Sequence, residues 1–155
     1  MAKDIRKRVK KGQAIVEFSL LFPFFLLIVV GGIVDFGFAF FNFITLQQLT
    51  NNTAQYAATE GISDSQVKDF LNDRRPKWWL SDFSLQTGGG TPTGDAPSLR
   101  ITTSLTSDGV GTVKQVELWF TSPAYTPFYQ TMLSLVAAKG IRLSTLAAFQ
   151  IAKNF

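Results

Sequence analysis

The sequence predicts an α+β protein. One long N-terminal helix crosses a membrane and continues out of it, and a small exposed domain of short helices and a three-stranded antiparallel sheet follows. Three observations carry this. From Phe18 to Val34 the chain reads FSLLFPFFLLIVVGGIV, without a charged residue. Residues 45–60, TLQQLTNNTAQYAATE, hold neither Pro nor Gly, so nothing there breaks a helix. From Leu99 onward, apolar and polar residues alternate in three runs, the period of half-buried strands. A chain of 155 residues, 46% hydrophobic and 17% charged, suits one small domain plus a membrane segment.

The first segment, residues 1–12, is basic. MAKDIRKRVKKG sets Lys3, Arg6, Lys7, Arg8, Lys10 and Lys11 against Asp4, a net +5. The whole chain carries +4, so the remaining residues carry −1. The basic excess is therefore a leader, and no basic stripe for nucleic acid runs through the body. Cys and His are both absent. That excludes disulfides, thiolate nucleophiles, Cys/His zinc sites and imidazole bases, and no cofactor is expected.

A membrane span needs about 20 apolar residues at 1.5 Å each. The run from about 14 to 44 supplies them, and a globule of this size has no room to bury a helix apolar on every side. Positive flanks stay cytoplasmic. The chain is thus read as single-pass, N-terminus inside and C-terminal domain outside, with the lipid bilayer as a partner. The apolar stretch is too long for a cleaved secretory signal. The helix is expected over 13–60, about 47 residues or roughly 70 Å, with Gly61 as its stop.

The exposed domain is expected over 61–155. Ser63 and Gln66 have capping-box spacing, opening a second helix with Val67, Phe70 and Leu71 as its stripe and Pro76 at its end. QTGGGTPTGDAPS, 86–98, is a loop. Leu99, Ile101, Thr103 and Leu105 alternate in one strand; Val116, Leu118 and Phe120 alternate in the next, across a turn at 107–111. A short helix is expected over Pro127–Ala138. Ile141, Leu143, Thr145, Ala147, Phe149 and Ile151 share one face of a last strand over Ile141–Lys153.

The most specific feature is the junction Gly12-Gln13-Ala14-Ile15-Val16-Glu17-Phe18. A carboxylate in an apolar helix is costly and marks a functional hypothesis; the plainer reading pairs Glu17 with Lys10 or Lys11 at the headgroups. A short basic leader ending in Gly, with Glu at the fifth position after it, resembles a type IV prepilin processing site. The run GQAIVEFSLLFPFFLLIVVGGIVDFGFAF resembles the opening of the TadE/TadF-like family, minor pilins or pseudopilins of the Tad (Flp) pilus system. Gln13, Val16, Glu17, Phe18, Pro23, Ile33, Val34, Asp35, Phe36 and Gly37 carry the likeness, which extends over roughly residues 11–60. Phe38 stands where relatives often have a basic residue, and Cys is absent.

The resemblance implies a structural, non-enzymatic protein. A prepilin peptidase would cut between Gly12 and Gln13, and the leader would leave. Glu17 could then meet the new Gln13 amine of a neighbouring subunit. Major and minor pilins would pack through the N-terminal helix, with Pro23, Gly31, Gly32, Asp35 and Gly37 as packing positions, and the pilus assembly platform would be a further partner. Incorporation into an extracellular pilus would follow.

Other signals are weaker. Asp35-Phe36-Gly37 spells a kinase motif but lacks its partner motifs, and Asp35 fits the outer membrane interface or a paired site in a helix bundle. Arg74-Arg75-Pro76-Lys77-Trp78-Trp79 reads as a helix end with Trp covering the core. Gly88-Gly89-Gly90 reads as a flexible loop. Asp64, Asp69, Asp73 and Asp82 lack calcium-loop spacing. Two alternatives stay open: a signal-anchored protein whose outer domain binds a ligand or cell-surface component, and a membrane-tethered hydrolase using paired carboxylates.

Overall fold

The computed structural model describes residues 2–59, 61–88, 90, 94–106, 111–136 and 139–151, with side chains from Gly12 onward. Helix α1 runs from Ala2 to Ala57 and passes through Pro23. Its end is closed by Ala58 N–H to Ala54 (3.0 Å) and Thr59 N–H to Tyr56 (3.1 Å). Gly61 then adopts φ +81°, a left-handed turn residue of the kind that follows helix ends. The anticipated end at Glu60 lies outside the described residues.

Helix α2 spans Asp64–Arg74, and the capping box forms: Gln66 N–H reaches the Ser63 hydroxyl and the Gln66 side chain returns to the Ser63 amide. Val67 and Leu71 are buried, and Phe70 stacks on Tyr56 with ring centroids 4.1 Å apart. Arg75, forced out of helix by Pro76, is extended at φ −62°, ψ 146°. It clasps the following loop through Asp82 at 2.5 Å and through the Trp79 carbonyl.

The strands are β1 (Ser84–Leu85), β2 (Ser98–Leu105), β3 (Thr112–Pro123) and β4 (Gly140–Ile151), with helix α3 (Pro127–Leu135) between β3 and β4. The sheet order is β1-β2-β3-β4. β2–β3 and β3–β4 are antiparallel, with Leu99 opposite Leu118 and Leu118 opposite Thr145. The expected three-stranded antiparallel sheet is corrected here: the sheet is four-stranded and mixed, because β1 lies parallel to β2. Two residues have no period to read. Their pairing comes from the loop that folds back beside them, with Ser84 N–H on Pro97 (3.1 Å) and Gln86 N–H on Leu99 (2.8 Å). Residues 107–110 of the expected turn, Ala138 and Lys153 lie outside the described residues; α3 ends at Leu135 and β4 at Ile151.

One sheet face makes the core. Leu99, Val116, Leu118, Phe120 and Ala147 meet Leu46, Leu49, Ala54 and Ala57 of α1, Val67 and Leu71 of α2, and the loop residues Trp79 and Phe83. The core thus draws on both sides of Gly61. β3 and β4 lie alongside α1. Asn42 bonds to Ser122 and Thr50 to Thr145, the partner of Leu118. Eight helical residues rise about 12 Å and four strand residues about 13 Å, so the two directions keep step.

Candidate functional site

Two regions of α1 matter: its foot and its docking face. From Gly12 to Val30 every side chain is exposed, although the segment is almost wholly apolar. At the foot, the Gln13 side-chain amide donates to the Glu17 carboxylate at 3.0 Å. Residues four apart share a helix face, so Glu17 is turned back toward residue 13. Phe18 packs on Phe22 at 5.4 Å, and Pro23 is exposed above them. The side chains of Lys3, Arg6, Lys7, Arg8, Lys10 and Lys11 lie outside the described residues.

From Gly31 upward one stripe of the helix is covered. Gly31, Asp35, Ala39, Asn42, Leu46, Leu49, Thr53 and Ala57 are buried at spacings of three and four, a single face at helical period. The lower end of this stripe carries α3. A Cβ on Gly31 would lie 3.5 Å from the Thr126 hydroxyl, and one on Gly32 would lie 2.6 Å from the Tyr129 hydroxyl. Gly37 differs: nothing stands within 4 Å of the place its Cβ would take. Gly32→Leu is therefore expected to push α3 off the helix at about 1–3 kcal/mol, while Gly37→Leu leaves it docked. Amide hydrogen exchange over residues 127–135 checks this, and equal exchange in the two variants would refute it.

Asp35 is 7% exposed. Its carboxylate accepts from the Tyr125 amide at 2.7 Å, the Thr126 amide at 3.0 Å, and the Thr126 hydroxyl. Thr126 is the N-cap of α3 but makes no side-chain cap bond within that helix. The amides that Asp35 holds are those of the N-cap residue and the residue before it, so it fixes the entry to α3 and sets an anion near the positive end of that helix.

Asn42 was not singled out in the sequence. It is 1% exposed, donates to Ser122 at 2.9 Å and accepts from Trp79 Nε1 at 3.1 Å. One side chain so ties α1, β3 and the loop after α2. Its signal was available: an amide in FGFAFFNFI, two turns above Asp35 on the same face. Of the adjacent pair Trp78 and Trp79, Trp79 enters the core and Trp78 stays exposed, stacked on Phe41 at 6.1 Å.

The segment that carries the Gln13–Glu17 foot and the docking face of α1 has a counterpart among known families. Residues 12–62 match the family of TadE-like proteins. The N-terminal helix is TadE-like. The match starts at Gly12 and ends just past Gly61, so it contains the foot and the docking face and leaves out the sheet. It associates the chain with the Tad pilus system and, with the long apolar helix, fits a membrane-anchored protein. No curated protein and no solved structure matches the chain. Among the described residues, no three Asp or Glu side chains gather into a group that could hold a metal ion.

Proposed function

We propose that the protein is a structural minor pilin or pseudopilin of a Tad-type pilus, made as a precursor and cut between Gly12 and Gln13 by a prepilin peptidase. The observation that carries this is the TadE-like match beginning at Gly12, over a helix whose apolar surface is uncovered from Gly12 to Val30. Such a surface suits lipid first and the helices of other pilins afterwards. Cleavage would remove the leader's +5 and leave a chain near neutrality. It would also create an α-amine at Gln13, one helical turn below Glu17. The carboxylate already points that way, held by the Gln13 amide. In a helix bundle of low dielectric, opposite charges attract strongly once they are close. An amine from a neighbouring subunit could then take the carboxylate and select one axial register. The exposed domain would ride outside the inner membrane, while other pilins, through the N-terminal helix, and the assembly platform in the membrane would be the protein's partners.

Mass spectrometry of the protein co-produced with a prepilin peptidase tests the cut. The expected mature chain begins at Gln13; a chain beginning at Met1 or Ala2 would refute processing. Glu17→Ala is expected to lose cleavage or incorporation into pili. If both were unchanged, Glu17 would have no part in assembly.

A further inference from the structure

We propose that α3 is a membrane-surface foot of the exposed domain, lying in the outer interface of the bilayer with Phe128, Met132, Leu135 and Val136 toward the acyl chains. The inference rests on the membrane reading above and goes beyond it.

The first ground is the surface of α3. Phe128, Met132 and Leu135 follow at i, i+4 and i+7, one face of a helix. Leu135 is 82% exposed and Val136 73%, and α3 carries no charged residue. About a quarter turn round the helix, Tyr129 meets Gly31 and Gly32 of α1. The apolar stripe thus starts half-buried beside α1 at Phe128 and is open by Leu135 and Val136.

The second ground is its level. Glu17 and Asp35 are the first two charged residues of α1 after the basic segment, with a charge-free run between them. Asp35 lies eighteen positions past Glu17, about 27 Å along the helix, close to the roughly 30 Å of a bilayer's hydrocarbon. Asp35 holds the entry to α3 at Tyr125 and Thr126. α3 therefore stands where the bare span ends.

The third ground is continuity. An apolar cleft of about 340 Å³ between α1 and α3 is lined by Leu27, Val30, Gly31, Val34, Pro127 and Phe128, so it joins the surface of the span to that of α3. Just above, Tyr125 packs on Phe38 at 4.5 Å and Trp78 on Phe41. Tyr and Trp favour the headgroup layer. Phe41 lies six residues past Asp35, about 9 Å higher, near the outer limit of that layer. The nearest end of the sheet stays clear of hydrocarbon: Ser122 is level with Asn42, about 10 Å above Asp35. Around a single-pass helix, lipid is what an apolar stripe at this height meets.

Cys is absent from the chain, so single cysteines can be labelled uniquely. Leu135→Cys, Leu26→Cys and Thr102→Cys place a fluorophore on α3, at mid-span and on an exposed strand position. The full chain is reconstituted in phosphatidylethanolamine and phosphatidylglycerol vesicles containing lipids brominated at graded depths. The label at 135 is expected to be quenched about two-fold or more by shallow bromines, as for a helix 5–10 Å into the interface. The label at 26 responds to deep bromines and that at 102 to none. A label at 135 as unquenched as that at 102, with 26 quenched, overturns the inference and leaves the membrane reading standing. An unquenched label at 26 overturns both. Shielding at 135 without quenching, lost when protein is diluted in lipid, means that a second copy covers the stripe and also overturns it.

Discussion

Trp79→Ala is expected to lower the stability of the exposed domain by about 3–5 kcal/mol, the range for deleting a buried aromatic side chain. Trp79 is almost fully buried, stacked on Phe120 at 4.2 Å and beside Phe83 at 6.0 Å. Small domains are stable by only about 5–15 kcal/mol, so this one change removes much of the margin. The loss has two parts. The cavity opens against Phe120, and the Asn42 carbonyl oxygen loses its donor. Trp79→Phe separates them, since it keeps an aromatic ring and removes the N–H; about 1–3 kcal/mol is expected, the range for one unpaired buried polar atom. Urea unfolding of the full chain in detergent micelles, followed by hydrogen exchange along β3, measures both. A Trp79→Ala protein within about 1 kcal/mol of the parent would show that the loop after α2 does not close this core.

Asp35→Ala is expected to release α3 from α1, at about 2–4 kcal/mol. Hydrogen bonds to a charged group contribute about 1.5–3 kcal/mol, and stranded donors add to the loss. Two backbone amides and the Thr126 hydroxyl converge on this carboxylate. Asp35→Asn separates charge from geometry. Its carbonyl oxygen can still accept from both amides, and its NH₂ can face the Thr126 hydroxyl as donor. About half the loss is expected. The readout is exchange at the amides of Tyr125 and Thr126 and protease access to the Pro123–Thr126 turn. Unchanged protection in Asp35→Ala would mean that the glycine contacts alone hold α3. The core around Trp79 is expected to persist, because it lies further up α1 and shares no partner with Asp35.

Together these two changes describe one design. α1 is both a membrane helix and the spine of the domain. Its lower half presents apolar side chains on every side. Its upper half offers one stripe to the sheet and α3. The stripe changes character as it rises, from glycines that admit close approach, to Asp35 and Asn42 as polar clamps, to Leu46, Leu49 and Ala54 as core.

Much of this was legible in the chain, and the reason is locality. A charge-free run of this length and a capping box at Ser63 and Gln66 depend on neighbours along the helix. Alternation in β2, β3 and β4 depends on period alone. Each was read correctly as an element. β1 was missed because two residues carry no period, and its parallel pairing depends on where a distant loop returns. The Trp pair shows the same limit: composition marked Trp78 and Trp79 as covering the core, but only the clasp by Arg75 and the Asn72 bonds to Phe83 decide which ring enters.

By itself the sequence determined that a long apolar helical run follows a basic N-terminal segment, that Glu17 stands near the foot of that run, and that a small α+β unit follows. Those are properties of residues read against their immediate neighbours, and hydrophobic period and charge are sufficient for them. Only the tertiary structure decided how far down the helix the domain reaches. From the sequence Asp35 fits the outer membrane interface or a paired site in a helix bundle; its partners are amides ninety residues away. No pattern along the chain encodes that meeting. It comes from β3 running beside α1 and delivering Tyr125 and Thr126 to the height of Asp35, where buried backbone donors and a buried carboxylate satisfy one another.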